Sequence, residues 1–224
     1  ETEQRNAELA IINSVQEGLA SKLDIKSIYD LVGDKIREIF NADTTYISTY
    51  QHGNELVHSK YYVERGQTPT QIQPLLFGRG LYSHIIKSRK YLLLGTDEQQ
   101  RQFDVIQIPS PDSNEDLNES FLGVPMFLSD TSTGVISVQS YKKNAYTEND
   151  ARLLQTLANA MSVALENARL FDETERLLQE TRRAKEVAET LRTANLALTK
   201  NLNLNAICEE LLTLVSQIAP YDSA

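Results

Sequence analysis

The side chains best suited to catalysis are scarce in this chain. Histidine occurs three times, at His52, His58 and His84, and cysteine once, at Cys208. An imidazole acts as a general base or metal ligand, and a thiolate as a nucleophile, only when partner groups lie close by. The sequence contains no Ser, His and Asp set, HExxH, P-loop or CxxC motif. We therefore predict neither a catalytic site nor a metal site.

Composition indicates an ordinary globular protein with a sizeable core, since 41% of its 224 residues are apolar and 24% are charged. A net charge of −9 argues against duplex nucleic acid as a partner, because such binding depends on Lys and Arg neutralising phosphates. No apolar run approaches the ~20 residues that cross a bilayer, and no signal peptide is visible, so we expect no membrane contact by this chain. The single cysteine suits a reducing cytoplasm. Because residue 1 is Glu, we expect the chain to be cut from a longer protein.

The spacing of apolar residues predicts helices up to Ile39 and strands beyond it. TTYISTYQHGNELVHSKYYV holds two β-rich runs separated by His52, Gly53 and Asn54, which predicts a hairpin. FGRG predicts a turn, LYSHIIKSRK a short helix and YLLL a strand. GTDEQQRQ is expected to form a loop or helical turn, and IPSPDSNEDLNES a surface loop. FLGVPMFLSDTSTGVISVQSY predicts two further antiparallel strands.

One long helix is predicted from Thr147, a suitable N-cap, to about Lys200, because that stretch contains no Pro or Gly. Beyond its first turns the apolar stripe narrows to a heptad repeat. A solitary solvated helix would carry similar charges, but it would not need Leu in a seven-residue register. We therefore predict a parallel coiled-coil homodimer. Its interface residues are Leu170, Leu177, Ala184, Leu191 and Leu198.

The last stretch of the chain repeats an earlier pattern. Residues 198–224 align with residues 19–45 at an offset of 179, with five identities in 27 positions. Two unrelated amphipathic helices could match to this extent, but Asp222 and Ser223 also correspond to Asp43 and Thr44. We interpret this self-similarity as a duplicated module.

Three segments resemble the GAF domain family: FLGVPM, TGVISVQSY and AYTENDARLLQTLANAMSVALENARLF. GRGLYSHIIKSRKYLLL resembles the mid-domain helix and strand of that family. The resemblance covers 24–171 and implies an α+β, GAF/PAS-like fold. It predicts a central antiparallel sheet, N- and C-terminal helices on one face, a ligand pocket on the other, and a long coiled-coil linker helix afterwards. The positions that match the family's ending are Gly134, Tyr146, Asn149, Asp150 and Glu166 to Leu170.

Under this resemblance, polar or aromatic side chains on strands and on the covering helix are candidates for binding a small molecule. Ser137 and Gln139 lie on one strand face, opposite Ile136 and Val138, which suit the helix-packed side. A mixed sheet face that binds no ligand would have the same pattern, so both interpretations stay open. The candidates are Tyr46, Ser48, Arg79, Tyr82, His84, Ser137 and Gln139.

The residues argue against several ligands of this family. Covalent bilin attachment needs a cysteine, as do the GAF-type methionine sulfoxide reductases, and 24–170 contains none. Cyclic-nucleotide binders often carry an Asn-Lys, Phe and Asp-Glu signature, whereas here Lys143 precedes Asn144 and Asp150 is followed by Ala151. A haem sensor would need an axial histidine, and a His on the covering helix, such as His84, is more often structural. The cofactor is therefore unknown.

These observations together predict a non-catalytic sensory or regulatory GAF domain of a bacterial, cytoplasmic, multidomain signalling protein. It would bind a small molecule or relay signals through a parallel dimeric helix, and the alternative is a ligand-free dimerisation module. The output domain could be a histidine kinase, a nucleotide cyclase or a transcriptional activator. The predicted segments are a leading helix over 1–23, the GAF domain over 24–170, a coiled-coil linker over 165–200 and the first helix of a second GAF domain over 201–224.

Overall fold

The first helix with defined bounds, α1 (Ile25–Ile39), begins at a capped position. The computed structural model describes residues 10, 12–19, 24–69, 72, 74–104, 118–129, 132–201 and 204–218. The Asp24 carboxylate accepts a hydrogen bond from Ser27 N at 2.8 Å, which satisfies an amide that has no partner inside the helix. Four-residue spacing then gives α1 one apolar face, and the residues buried on it are Ile28, Val32 and Ile36.

The strands of the described residues are β1 Thr44–Gln51, β2 Leu56–Glu64, β3 Leu75–Leu76, β4 Leu92–Leu94, β5 Ser120–Phe127 and β6 Ser132–Ser140. They form an antiparallel sheet in the order β3-β2-β1-β6-β5-β4. The β1–β2 and β5–β6 hairpins meet through β1 and β6, so these two strands occupy the centre of the sheet.

The β1–β2 hairpin contains an irregularity that affects the candidate site. Tyr46 pairs with Tyr62 and Ser48 pairs with Ser59, so Lys60 is an extra residue between the two pairs. Such a β-bulge changes the alternation of side chains along its strand. Ser59 and Tyr62 therefore lie on the same face of the sheet, although they are three positions apart.

One face of the sheet packs against helices, and we call it the helix-packed face. Ile47, Ile136 and Val138 belong to a buried cluster with apolar side chains of α1 and of α4 (Glu148–Asn201). Val15 and Leu19 are buried in the same cluster, so the helical residues 12–19 contribute to the domain core. The members from α4 are Ala151, Leu154, Leu157, Ala158, Met161, Leu165 and Ala168.

Short elements pack on the opposite face. Helix α2 (Gly80–Ser88) buries Leu81, Ile85 and Ile86 in a second apolar cluster with strand residues such as Phe121. Strand β4 follows α2 and leads to the short helix α3 (Asp97–Gln100), which is capped by Thr96.

Helix α4 begins at a reciprocal cap between Thr147 and Asp150. Thr147 N donates to Asp150 Oδ2 at 2.8 Å, and Asp150 N donates to Thr147 Oγ1 at 3.3 Å. Two compact units divide the chain, Glu1–Phe171 and Asp172–Ala224, and the second contains the rest of α4 and helix α5 (Leu204–Ile218). None of the helices that the structure describes is long and apolar enough to cross a membrane.

The predicted α+β fold with a central antiparallel sheet is confirmed, and both predicted hairpins are present. The helix predicted from Thr147 to about Lys200 spans Glu148–Asn201. GTDEQQRQ forms α3 and part of a 3₁₀ turn at Arg101–Phe103. Strand β3 was not predicted, because two residues carry no periodicity. Most of the surface loop predicted over 108–120 lies outside the described residues.

Candidate functional site

Strand register brings polar side chains together on the face opposite the helix-packed face. Tyr46 on β1 lies between Ser137 on β6 and Tyr62 on β2, and Ser48 lies beside Ser59. Because residues directly opposite in a sheet point to the same side, these side chains share one surface. Helix α2 and the segment before β5 add further members. We call the following residues the polar cluster: Tyr46, Ser48, Ser59, Tyr62, Tyr82, Asn118, Ser137 and Gln139.

Hydrogen bonds tie Tyr82 of α2 to strand β6. Tyr82 Oη lies 3.0 Å from Ser137 Oγ, and Gln139 Nε2 donates to the same phenol oxygen at 3.3 Å. A phenol can accept from the amide while it donates to the serine. Asn118 Nδ2 donates to Gln139 Oε1 at 3.0 Å, which extends the chain of contacts to the start of β5. Hydrogen bonds and apolar contacts therefore both hold α2 against the sheet.

Tyrosine rings pack against one another within the polar cluster. The ring centroid of Tyr46 lies 5.0 Å from that of Tyr82 and 5.5 Å from that of Tyr62. Burial raises the pKa of all three phenols. The Ser59 hydroxyl offsets part of the rise in the pKa of Tyr46, whereas Glu64 adds to the rise for Tyr62. The phenols therefore stay neutral near pH 7, where each can donate and accept hydrogen bonds.

Several buried polar atoms of the cluster have no hydrogen-bond partner among the described residues. They are Tyr46 Oη, Ser48 Oγ, Ser59 Oγ and Asn118 Oδ1. Tyr46 and Ser48 are only 6% and 0% exposed. Tyr46 and Ser59 are neighbours, yet their hydroxyls form no hydrogen bond of ordinary geometry. Outside the cluster, Thr45, Thr133 and Tyr146 also carry such atoms, so the feature is concentrated in the cluster without being confined to it.

Unpaired buried groups of this kind are costly. Each one destabilises a folded protein by about 1–3 kcal/mol, and native structures contain few of them. Three of these atoms belong to side chains on β1 and β2, and the fourth belongs to Asn118 in the segment before β5.

A carboxylate lies at the edge of the polar cluster. Glu64 Oε2 accepts a hydrogen bond from Tyr62 Oη, and Glu64 Oε1 accepts one from Tyr141 Oη, both at 2.8 Å. The Arg65 guanidinium lies 4.4 Å from the centre of the Tyr141 ring. Burial and then the bond to Glu64 raise the pKa of Tyr141 to about 12. Because phenols already engage both carboxylate oxygens, the cluster offers a ligand mainly hydroxyl and amide groups.

The structure brings together most of the residues predicted to bind a ligand. Arg79 is exposed at the N-cap of α2, and His84 is exposed with its ring edge-on to Phe103 at a centroid distance of 4.9 Å. Residues two apart on a helix are separated by about 200°, so Tyr82 cannot face the sheet unless His84 turns away from it. The role of the others in binding stays a prediction. Those that lie in the polar cluster are Tyr46, Ser48, Tyr82, Ser137 and Gln139.

Sequence reasoning missed three members of the cluster. Tyr62 lies on a strand predicted from the sequence, and alternation would have found it once its pairing with Tyr46 was known. Ser59 could not be found in this way, because the bulge at Lys60 breaks the alternation. Asn118 belongs to a polar run that was interpreted as a surface loop.

The histidines and the cysteine are dispersed. His52 lies in the β1–β2 turn with its ring against Tyr50, His58 is exposed on β2, and Cys208 is exposed on α5. In the part of the chain that the structure describes, no group of three His, Cys, Asp or Glu side chains is placed to hold a metal ion. The chemistry of the polar cluster itself is hydrogen bonding and ring contact.

The residues predicted to form a dimer interface lie on α4. Leu170 belongs to the first unit and is 46% exposed. In the second unit, Leu177, Ala184 and Leu191 are exposed, and the side chain of Leu198 lies outside the described residues. The stripe is therefore accessible along the described part of the helix.

The chain belongs to the GAF domain family. The family model described as GAF domain matches residues 22–166. That range contains α1, the whole sheet, the first turns of α4 and every member of the polar cluster. The family resemblance seen in the sequence is confirmed.

The chain is also similar to curated regulators of transcription. It is 25% identical over 196 residues to the formate hydrogenlyase transcriptional activator FhlA of Escherichia coli (strain K12). The match covers 86% of this chain and 27% of the activator. The chain thus spans about a quarter of the length of the curated relatives it matches.

Solved structures share the fold. The GAF domain of a phosphoenolpyruvate-protein phosphotransferase from Coxiella burnetii aligns with a TM-score of 0.64 at 17% identity, covering 74% of this chain and 96% of that one. The free methionine-R-sulfoxide reductase from Neisseria meningitidis aligns with a TM-score of 0.60 at 19% identity, covering 73% and 90%. At these identities the likeness shows the fold alone. The same fold therefore occurs in one domain of a phosphotransferase and in the free methionine-R-sulfoxide reductase.

Proposed function

We propose that this chain is a non-catalytic sensory domain that binds a small molecule at the polar cluster, within a longer cytoplasmic signalling protein. The observation that carries the proposal is a set of buried polar atoms around Tyr46 and Ser48 that have no hydrogen-bond partner among the described residues. A ligand that pairs with these atoms offsets the cost of burying them, and that gain is available only in the bound state. The similarity to transcriptional activators supports a regulatory role.

The ligand that fits this surface is small and polar. The hydrogen bonds within the cluster come from phenols, hydroxyls and amides, and its edge carries the Glu64 carboxylate and the Arg65 guanidinium. Ring faces of Tyr46 and Tyr82 would in addition favour a planar group.

The signal would leave the domain through α4. We propose that α4 forms a parallel coiled coil with a second copy through Leu170, Leu177, Ala184, Leu191 and Leu198. Polar residues at the other core positions, such as Thr181 and Asn195, make this coil marginal, so a ligand can bias it between two packings.

Helix α5 fits the start of a second GAF domain. Both α1 and α5 contain 15 residues, and their first residues, Ile25 and Leu204, are 179 positions apart, the offset of the sequence repeat. Ile28 and Val32, which are buried on α1, correspond to Ile207 and Leu211, which are exposed on α5. Under this proposal a second sheet covers those side chains, and the output domain follows; the curated relatives favour a transcriptional activator as that output.

A thermal-shift screen tests ligand binding. Cyclic AMP, cyclic GMP, haem and mixtures of metabolites are added to the chain, and a ligand at 100 times its Kd should raise the stability by about 2.7 kcal/mol. Tyr46→Phe removes only the unpaired hydroxyl and should weaken binding roughly tenfold or more. Tyr29→Phe is the matched control, because Tyr29 is also 6% exposed but lies in the cluster of the helix-packed face.

A ligand whose affinity survives Tyr46→Phe unchanged would contradict the proposed site. If no compound shifts the melting temperature and the chain is dimeric, the result favours the second candidate function, a ligand-free dimerisation module. The observation that favours this candidate is the exposed heptad stripe of α4, because dimerisation alone would explain why Leu177 and Leu191 stay apolar.

A further inference from the structure

One stretch of the chain carries positive charges only. Residues 65–96 contain five Lys and Arg residues and no Asp or Glu, within a chain whose net charge is −9. Four of the five lie on α2 or directly beside it, and all four side chains are exposed. We call them the basic face of α2: Arg79, Lys87, Arg89 and Lys90.

The basic face has no carboxylate partners of its own. In the part of the chain that the structure describes, none of its four members forms a salt bridge. The three basic side chains of α1, by contrast, each form one with an acid three or four residues away. Like charges that are not neutralised locally create a field that attracts an anionic partner.

Interaction with the helix dipole explains only part of this charge. A positive side chain is favourable at the C-terminus of a helix, where Lys87 and Arg89 lie. Arg79 lies at the opposite end, at the N-cap, where the dipole disfavours a cation. Its side chain makes no capping hydrogen bond. The stability of α2 therefore does not account for a cation at both of its ends.

Apolar side chains adjoin the basic face. The Arg89 guanidinium lies 5.3 Å from the centre of the Phe127 ring, and Lys87 Nζ lies 5.3 Å from the centre of the Phe77 ring. Phe127 is 43% exposed, and Leu76, which precedes Phe77, is 62% exposed. Arginine and aromatic side chains are enriched where proteins bind one another. This combination is therefore typical of a protein interface.

We propose that the basic face of α2 binds an acidic segment of another protein, one that combines carboxylates with an apolar side chain. The carboxylates complement the four cations, and the apolar side chain covers Phe127 or Leu76. Helix α2 has nine residues and is about 13 Å long, so about four extended residues span the distance between its ends.

A short segment fits this surface better than a large polyanion does. A membrane surface or a nucleic acid would extend past the basic face and meet the remainder of a chain whose net charge is −9. Interactions between exposed charges are largely screened beyond about 10 Å at 0.1 M salt. A short acidic segment would therefore interact mainly with the basic face.

Selection from a peptide library tests the proposal. Random short peptides displayed on phage are selected on the immobilised chain, and the enriched sequences should combine Asp or Glu with apolar residues. Fluorescence anisotropy then gives the Kd of a synthetic copy. Arg79→Glu combined with Lys90→Glu should raise this Kd roughly tenfold or more, because two attractive charges become repulsive. Lys26→Glu combined with Lys35→Glu is the matched control, because it changes the net charge equally but on α1.

Melting curves establish that both double variants are folded. If Arg79→Glu with Lys90→Glu is unfolded, Lys90→Glu alone takes its place, because Lys90 lies outside α2. Acidic peptides whose Kd rises with the basic-face variant and not with the control support the proposal. Equal weakening by both variants would mean that only net charge matters and would overturn it. Enrichment of peptides without acids, or of no peptide, would also overturn it.

Two further probes distinguish the kind of partner. Vesicles that contain phosphatidylserine and a single-stranded oligonucleotide are each titrated against the same variants. Neither should bind as tightly as the acidic peptide, because the rest of the chain repels an extended anion. Tighter binding of either probe, lost on Arg79→Glu with Lys90→Glu, would assign the basic face to a lipid surface or a nucleic acid and contradict the proposal.

Discussion

Strand β6 carries both faces of the sheet in one run of residues. Ile136 and Val138 point into the cluster with α1 and α4, where apolar side chains fill the space between sheet and helices. Ser137 and Gln139 point the other way, where Ser137 is buried but meets the phenol of Tyr82. The same strand therefore supports a packed core on one side and a set of hydrogen-bonding groups on the other.

The two faces of the sheet differ in what determines their free energy. The helix-packed face is stabilised by burial of apolar area, which depends little on anything outside the chain. The buried hydroxyls of Tyr46 and Ser48 have no hydrogen-bond partner in the part of the chain that the structure describes, so the free energy of the polar cluster can change if another molecule supplies partners. The proposed sensory function requires both a face that keeps the fold and a face whose free energy would respond to a ligand.

The largest effect should come from the helix-packed face. Ile136→Ala removes a fully buried side chain and should lower the free energy of unfolding by about 2–5 kcal/mol, through lost burial and the cavity left behind. Its neighbour Ser137→Ala should cost about 0.5–1.5 kcal/mol, the loss of one hydrogen bond. Urea unfolding followed by tyrosine fluorescence measures both, because the chain has no Trp and all its tyrosines except Tyr221 precede residue 172. Equal losses would remove the distinction between the two faces.

A smaller effect separates two fully buried serines of the sheet. Ser120 Oγ accepts a hydrogen bond from Ala145 N at 3.0 Å and donates to the carbonyl of Lys142. Ser120→Ala removes this hydroxyl from the Ala145 amide and the Lys142 carbonyl and should destabilise the fold by about 1–3 kcal/mol. Ser48→Ala removes a hydroxyl that has no partner among the described residues, so the same substitution should cause no loss of stability in the absence of ligand, or a gain. A loss at Ser48 as large as at Ser120 would mean that its hydroxyl is satisfied.

How far the sequence predicts this arrangement depends on the regularity of each element. Period-two alternation placed Ser137 and Gln139 on one face of β6 correctly, and the start of α4 followed from the cap at Thr147. The pairing of Ser59 with Ser48 could not be derived, because a single extra residue at a bulge leaves no mark in the hydrophobic pattern. Helix geometry alone predicts that His84 and Tyr82 point to different sides of α2, since they are two residues apart.

The smallest predicted effect is a loss of stability at high pH, caused by ionisation of a buried tyrosine at the edge of the polar cluster. Burial raises the pKa of Tyr29 to about 12, and burial together with Glu64 raises that of Tyr141 to about 12. An ordinary phenol in the unfolded chain has a pKa of about 10. A raised pKa in the folded state stabilises the protein fully below about pH 10, and this contribution is lost as the pH rises from about 10 to 12.

Tyr141→Phe and Tyr29→Phe should each make the melting temperature fall less steeply between pH 10 and 12, since each removes one phenol that must ionise. Glu64→Gln separates the two faces: it removes the carboxylate beside Tyr141 and should reduce the additional effect of Tyr141→Phe, while that of Tyr29→Phe stays unchanged. Melting curves of the single and double variants across this pH range provide the comparison. If Glu64→Gln alters the Tyr29 contribution equally, the carboxylate acts on the whole domain and not on the edge of the polar cluster.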